Sequence, residues 1–203
     1  MSTSNSELMK NAEESLSGKW GLAVGTFFVI IAINIAIQMM SEISSIASLI
    51  SIIISGPLTL GIAIFSLNIS RGNEVNSNQI FDGFKNFGNS IGAYLLMLVF
   101  VLLWSLLLII PGIIAALSYA MTFYIMADNE DISPMDAIDE SKRLMDGSKW
   151  KLFEMYIRFF GWSILCILTL GIGFLWFIPY MYVSLAKFYD DLKKNDNNIH
   201  TDW

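Results

Sequence analysis

Long apolar runs alternate with short charged segments along this chain. Glu42 is the only charged residue within 20–70, and the segments 86–127 and 159–186 contain none. A helix needs about 20 apolar residues to cross the hydrocarbon core of a bilayer, which is about 30 Å thick. Each of the first two runs is therefore long enough for two crossings. The third is long enough as well, because its apolar flanks extend it to 152–189.

Residues that break helices lie near the middle of the two later runs. Pro111-Gly112 interrupts one run and Gly171-Ile172-Gly173 the other, and a single unbroken helix in either would be much longer than the bilayer is thick. The sequence predicts an all-α polytopic integral membrane protein with six transmembrane helices arranged as three hairpins. The predicted spans are 20–40, 46–68, 91–110, 113–128, 153–170 and 174–189. Because 113–128 and 174–189 are short, a re-entrant helix is the alternative for each.

A short amphipathic segment and a boundary aromatic residue precede each predicted hairpin. The first segment is the cytoplasmic N-terminus, 1–19, and the third is a cytoplasmic helix near 133–149 that opens on the capping pair Ser133-Pro134. The apolar positions of the three segments are Leu8, Ala12, Leu16, Ile80, Phe81, Phe84, Phe87, Met135, Ile138 and Met145, and the boundary aromatics are Trp20, Phe87 and Trp150. We interpret this as an internal repeat of an interfacial helix plus a hairpin. The alternative is that any bilayer protein with short loops has this pattern.

Composition supports a membrane protein and excludes other classes. Hydrophobic residues make up 55% of the 203 residues and charged residues 15%, which is too apolar for a soluble enzyme or a disordered protein. The net charge of −6 provides no basic patch for a nucleic acid. The N-terminus lacks the pattern of a cleaved secretory signal, so the first apolar run is expected to remain as a helix.

The basic residues indicate the orientation of the predicted helices. All twelve lysines and arginines fall on one side of the predicted membrane or within about two turns of it. The positive-inside rule then places both termini in the cytoplasm, including a polar C-terminal tail at 191–203. Glu42 is the only charged residue expected on the opposite side.

Serine residues form one face of the second predicted helix. Together with polar residues of the first predicted helix they give a candidate site made of Asn34, Gln38, Ser44, Ser48, Ser51 and Ser55. One interpretation is a seam of small residues that lets helices approach closely and hydrogen-bond, and it is the one the residue types favour. The other is a polar cavity within the membrane.

Charged residues next to the fifth predicted span form a second candidate site. Its members are Lys142, Arg143, Lys149, Lys151, Glu154 and Arg158. Glu154 and Arg158 are spaced i, i+4, so an ion pair is expected between them. Glu154 and Arg158 are interpreted as a structural anchor, with binding of a substrate or a lipid headgroup as the alternative. The other four residues form a small juxtamembrane basic cluster that could contact anionic lipid headgroups. Four neighbouring acidic residues weaken the headgroup interpretation.

Side chains that support catalysis are scarce in this sequence. His200 is the only histidine and lies in the polar tail, and Cys166 is the only cysteine and lies in an apolar run. No catalytic, cofactor-binding or metal-binding residues are therefore predicted.

A set of aromatic and glycine markers resembles a known bacterial family. The markers are Leu103-Trp104, Ile110-Pro111-Gly112, Tyr119, Ala137-Ile138, Ser141, Met145, Gly147, Lys149-Trp150, Gly161-Trp162, Leu170-Gly171-Ile172-Gly173, Trp176, Pro179-Tyr180 and Phe188-Tyr189. They resemble the integral membrane proteins grouped as domain of unknown function 975, which is similar in architecture to the membrane domain of some glycerophosphodiester phosphodiesterases. The resemblance implies a six-helix protein of the bacterial plasma membrane with no assigned activity.

Three functions are consistent with the sequence. The first is a non-enzymatic envelope protein that acts through lipid or another membrane protein. The second is a small transporter or an export or immunity factor for a peptide or amphiphile, because transporter sites often lie at repeat interfaces near the membrane midplane. The third, an intramembrane enzyme, lacks a recognisable set of catalytic residues.

Overall fold

The computed structural model describes the backbone of residues 3–43 and 45–201, and the side chains within 3–39 and 50–197. Most of these residues are helical, and none of them forms a strand. The α-helices are α1 (Asn5–Leu16), α2 (Trp20–Ile43), α3 (Ser45–Arg71), α4 (Phe87–Leu107), α5 (Ile109–Tyr119), α6 (Thr122–Asp128), α7 (Pro134–Leu144), α8 (Lys149–Leu168) and α9 (Phe174–Thr201). A 3-10 helix, Ser77–Phe84, lies between α3 and α4.

Four stretches of the described chain are long and apolar enough to cross a membrane. They are Trp20–Met39, Ile50–Arg71, Phe87–Leu107 and Ile109–Asp128, the last of which combines α5 and α6. They correspond to the first four predicted spans and indicate a membrane protein. The predicted spans 153–170 and 174–189 correspond to α8, which ends at Leu168, and to part of α9, and neither helix is among the four. Both helices carry charged and aromatic polar residues that lower their mean hydropathy.

Helix α3 lies at the centre of the bundle. It packs against α1, α2, α4, α6, α9 and the 3-10 helix. The buried core is concentrated where α1, α6, α7 and the first half of α8 meet the second half of α9, and it contains Met121, Met126, Met145, Leu152 and Phe188. Burial of these side chains at the charged ends of the long helices joins the short segments to the bundle.

The opposite ends of the long helices expose apolar side chains. The turn from α4 to α5 exposes every residue from Leu106 to Ile110, and Leu170, before α9, is 94% exposed. Soluble monomeric proteins rarely expose a run of adjacent large apolar side chains such as this one. If hydrocarbon surrounds these ends, the exposed side chains do not contact water and their exposure has no free-energy cost.

The α4–α5 turn falls slightly earlier than predicted. Leu108 is extended, and α5 begins at Ile109, so Pro111 occupies the first turn of α5 and does not end a helix. A proline is tolerated there because the first backbone N–H groups of a helix have no partner within it. In the last run the break does lie at the predicted glycines, where Leu170 and Gly171 adopt positive φ values.

The predicted amphipathic segments are present as helices. Leu8, Ala12 and Leu16 are buried along α1. Ser133 caps α7 by accepting a hydrogen bond from the backbone N–H of Asp136. The segment before α4 is a 3-10 helix in which Ile80 is buried, whereas Phe81 is exposed.

The predicted polar tail is part of a helix for most of its length. Helix α9 continues to Thr201, and Asp191 and Leu192 are buried within it. Helix α9 packs against α1 and α7, contacts that the local composition of the tail does not indicate.

Candidate functional site

A cleft opens between α2, α3, α4 and α9. Its volume is about 560 Å³. We call it the central cleft and define it by its polar lining residues, which are Asn34, Gln38, Ser55, Thr59, Tyr94 and Tyr182. The remaining walls are apolar side chains of Phe27, Ile30, Ile31, Ile35, Met39, Leu58, Ile62 and Ile178. The volume is within the range of clefts that hold small molecules.

The polar groups of the central cleft are already oriented by their own helices. The side-chain amide of Asn34 donates to the carbonyl oxygen of Ile30 at 2.9 Å. Ser55 Oγ donates to the carbonyl oxygen of Ser51, and Thr59 Oγ1 donates to that of Ser55, each at 2.7 Å. Hydroxyl oxygens and an amide oxygen keep acceptor capacity after such bonds form. The cleft can therefore accept a hydrogen bond from a polar group while its walls contact an apolar one.

Aromatic residues pack around Phe27 and Tyr182, two of the residues that line the central cleft. The Phe27 ring stacks on Tyr182 at 5.5 Å and meets Phe65 edge-on at 6.1 Å. Tyr124 OH donates to the backbone carbonyl oxygen of Tyr182 at 3.2 Å, so α6 supports the same position. Large aromatic side chains in these arrangements pack tightly and leave little room for a ligand to pass.

The structure brings together part of the predicted polar site. Asn34, Gln38 and Ser55 line the central cleft, whereas Ser51 is not among its lining residues. Ser44 and Ser48 lie outside the described side chains. Whether the face binds a ligand or serves only as a helix seam stays a prediction.

Three polar lining residues were missed by the sequence analysis. Thr59 continues the four-residue spacing of Ser51 and Ser55, a signal that could have identified it. Tyr94 and Tyr182 come from α4 and α9, and no local pattern connects them to the serine face.

Beyond the aromatic residues, an ionic cluster joins the charged ends of α3, α6 and α9. Arg71 donates to both carboxylate oxygens of Asp128, at 2.5 and 3.0 Å, and to Asp190 at 2.7 Å. Lys193 Nζ contacts Asp128 at 2.7 Å, and Tyr189 OH donates to it at 3.0 Å. A guanidinium that bridges two carboxylates imposes a specific geometry on the helices carrying them. We call these five residues the Arg71 cluster.

A second ion pair ties the N-terminus to α8 and α9. Lys151 Nζ lies 2.7 Å from Asp191, and their side chains are only 20% and 5% exposed. Thr3 donates to the same carboxylate through its hydroxyl at 2.6 Å and its backbone N–H at 3.2 Å. Burial raises the pKa of the Asp191 carboxyl, but the bonds from Lys151 and Thr3 outweigh this effect and leave the pKa below its usual value.

The predicted charge cluster therefore separates into residues with different partners. Arg143 binds Glu140 and Asp196, both at 2.7 Å, and Lys151 points inward to Asp191. Lys142 and Lys149 make only exposed pairs, to Asp139 at 2.8 Å and to Asp146 at 3.8 Å.

The predicted ion pair between Glu154 and Arg158 is wrong. Among the described side chains no ion pair joins them, and Arg158 Nη1 donates to Ser6 Oγ at 2.6 Å instead. Helix α1 packs against α8 and supplies this partner, which the i, i+4 spacing within α8 does not reveal.

Groups that support chemistry are sparse in the described part of the chain. It contains no cluster of histidine, cysteine, aspartate and glutamate that would hold a metal ion. The thiol of Cys166 is free and buried, and the side chain of His200 lies outside the described residues.

Apolar helices around a mixed polar and apolar cleft, with ionic clusters at one end, define a polytopic helical membrane protein. The chain belongs to the family described as Protein of unknown function (DUF975), whose model matches residues 1–118 and 105–196. The family resemblance seen in the sequence is thereby confirmed. No curated protein and no solved structure matches the chain.

Proposed function

We propose that this protein is a non-enzymatic, multi-pass protein of the bacterial plasma membrane that binds an amphipathic molecule in the central cleft. The observation that carries this proposal is the cleft itself, because amide and hydroxyl groups lie beside a continuous apolar wall. Such a lining suits a ligand with a polar group and a hydrocarbon part, such as a lipid. Amides, aliphatic hydroxyls and phenols stay uncharged at neutral pH and provide no general acid or base with a pKa near 7.

The topology we propose has six membrane spans in three hairpins, with both termini in the cytoplasm. Helices α8 and α9 pack against each other, and α9 contributes Ile178 and Tyr182 to the cleft beside α2 and α3. This supports a position for the apolar half of α9 at the same depth as the more apolar spans. The absence of lysine and arginine from the opposite loops supports the cytoplasmic termini.

Filling the central cleft is expected to prevent ligand binding. The probe is a single-chain fatty acid with a photoreactive diazirine, added to the protein in nanodiscs and followed by peptide mapping. In the unmodified protein we expect labels on the cleft-lining segments of α2 and α3. Ser55→Trp places a bulky ring there, and we expect it to lower this labelling on the order of tenfold, since a loss of about 1.4 kcal/mol is a factor of ten.

Ser163→Trp is the matched control. Ser163 Oγ also donates to a carbonyl oxygen of its own helix at 2.7 Å, but it lies on α8 and outside the cleft. We expect normal labelling of α2 and α3 in this variant. Equal labelling of all three proteins, or equal loss in both variants, would contradict binding in the cleft.

A transporter of the same kind of ligand is the second candidate function. It is favoured by the location of the cleft between helices of all three predicted hairpins. Proteoliposomes distinguish the two functions. Protein-dependent passage of a fluorescent amphiphile between leaflets would support transport, and binding without passage would support a binding protein.

A further inference from the structure

A second groove lies on the surface of α4 and α5 and ends at two lysines. Its volume is about 420 Å³. We call it the lysine groove and define it by Trp104, Pro111, Ile114, Tyr119, Lys142 and Lys149. It is separate from the central cleft, because the two share no lining residue.

The turn between α7 and α8 brings the two lysines to one groove. Helix α7 ends at Leu144 and α8 begins at Lys149, and Gly147 closes the turn with a φ of +72°. Lys142 Nζ lies 5.7 Å from the centre of the Tyr119 ring, at the end of α5. Both lysines therefore line the groove beside Tyr119.

Lys142 and Lys149 are the two members of the predicted basic cluster that line this groove. Arg143 is held by Glu140 and Asp196, and Lys151 by the buried Asp191. Lys142 and Lys149 keep 44% and 34% of their side chains exposed, although each also contacts an aspartate three residues earlier. Exposed ion pairs of this kind stabilise a protein by at most about 1 kcal/mol, so a phosphate can compete with them.

Most of the remaining lining of the lysine groove is apolar, and Ser118 adds one hydroxyl group. Pro111 and Tyr119 are eight residues apart on α5, which corresponds to about 12 Å along the helix. Trp104 and Ile114 are exposed along this length and provide a wall for an acyl chain.

We propose that the lysine groove binds one anionic glycerophospholipid. Its phosphate contacts the ammonium groups of Lys142 and Lys149, and an acyl chain lies along Trp104 and Ile114. Two positive charges at one end of an apolar groove complement an anionic headgroup and disfavour a zwitterionic one, whose own cation would be repelled. This inference is independent of the ligand proposed for the central cleft.

Lipid selectivity of the full-length protein tests the proposal. Purified protein is titrated with phosphatidylglycerol or with phosphatidylcholine of the same acyl chains, and bound lipid is counted by native mass spectrometry. A lysine near an anionic surface contributes a factor of about five, so we expect tighter binding of phosphatidylglycerol by about thirtyfold. The double variant Lys142→Gln/Lys149→Gln is expected to lose this preference.

Lys10→Gln/Lys85→Gln is a closely matched control. Each of these lysines also pairs with an acidic residue about one helical turn away, Lys10 with Glu14 at 3.8 Å and Lys85 with Asp82 at 2.8 Å. Neither lysine lines the groove. We expect the control to keep the preference for phosphatidylglycerol. Equal selectivity in both variants, whether kept or lost, would overturn the proposal. Competition by glycerol phosphate as strong as by the intact lipid would overturn the role of the acyl chain.

A third variant tests the contact with the acyl chain separately from the two lysines. Ile114→Trp leaves both lysines in place and fills the apolar wall. We expect weaker binding of both lipids with the thirtyfold ratio between them reduced, because the headgroup can no longer settle beside the lysines. Unchanged binding of both lipids would contradict an acyl chain in the groove.

Discussion

Gly61→Ala is expected to lower the stability of the protein by about 3 kcal/mol, the upper end of the usual cost of overpacking. At this position α3 crosses the 3-10 helix with almost no space between the two backbones. A Cβ atom on Gly61 would lie 1.9 Å from the carbonyl oxygen of Ile80. A Cβ atom on Gly83, on the other side of the crossing, would lie 2.0 Å from that of Pro57. Neither contact can be relieved by rotating a side chain, so the two segments must separate.

The measurement uses the single cysteine of the chain. Cys166 is buried, so a maleimide dye that fluoresces on reaction with a thiol reports unfolding during a thermal ramp in detergent. For a chain of this length we expect the midpoint to fall by roughly 6–12 °C in Gly61→Ala. Gly83→Ala is expected to behave similarly.

Gly25→Ala is the control for the change of residue type. Gly25 is also helical, but a Cβ atom there would have no neighbour within 4 Å. Alanine favours a helix over glycine by up to about 1 kcal/mol, so this variant should be as stable as the unmodified protein or slightly more stable. Equal midpoints for Gly25→Ala and Gly61→Ala would show that the backbones at the crossing are farther apart than described here.

Lys151→Met is expected to destabilise the protein by a similar amount, about 3 kcal/mol. The substitution keeps the length of the apolar stem and removes the charge that faces Asp191. Removal of one partner from a buried ion pair is costly because the other charge stays buried without compensation. The Asp191 side chain is only 5% exposed, and Thr3 would be its remaining described partner. The same thermal ramp measures the effect.

Two further variants test the cause of this loss. Lys149→Met removes a charge two residues away whose pair with Asp146 is exposed and 3.8 Å long, and we expect a change below about 1 kcal/mol. Lys151→Met/Asp191→Leu removes both buried charges and is expected to recover much of the lost stability. If Lys149→Met were as harmful as Lys151→Met, burial of the pair would not be the cause.

The pH dependence of the Lys151→Met effect follows from the pKa of Asp191. In the folded protein this pKa lies below its usual value, so the ionised carboxylate contributes stability that is fully present above the unfolded pKa of about 3.9. The contribution is lost as the pH falls through the lower folded pKa. Without Lys151, burial raises the pKa of Asp191, so the variant takes up this proton at a higher pH than the unmodified protein. We therefore expect the stability difference between the two proteins to be greatest at neutral pH and to shrink on acidification, as Asp191 is protonated first in the variant and then in the unmodified protein. A difference that grew on acidification would contradict this assignment.

Local features of the sequence were sufficient for much of the fold. The length of the apolar runs predicted the four stretches that can cross a membrane, and Ser133-Pro134 predicted the start of α7 within one residue. The turn at Leu108 differs from the prediction by only a few residues, because Pro111 begins a helix at this position. These properties depend on residues close together in the chain, which is why their pattern is visible without a structure.

The candidate sites depended more on contacts between distant segments. Asn34 and Ser55 could be recognised as polar residues in apolar helices, but Tyr94 and Tyr182 reach the same cleft from α4 and α9. Lys151 looked equivalent to Lys149 in the sequence. In the structure, Lys151 pairs with the buried Asp191, whereas Lys149 pairs with the exposed Asp146. Lys151 therefore carries a buried structural charge, and the charge of Lys149 is accessible.

The sequence by itself determined the class of this protein and its family, because hydropathy and short motifs are properties of neighbouring residues. The tertiary structure alone decided which polar and charged groups meet. Arg158 binds Ser6 and not Glu154, and Gly61 meets Ile80 across a helix crossing. Such choices depend on how helices far apart in the chain pack together, since a buried charge or a missing Cβ atom has an effect only through the neighbour that packing supplies.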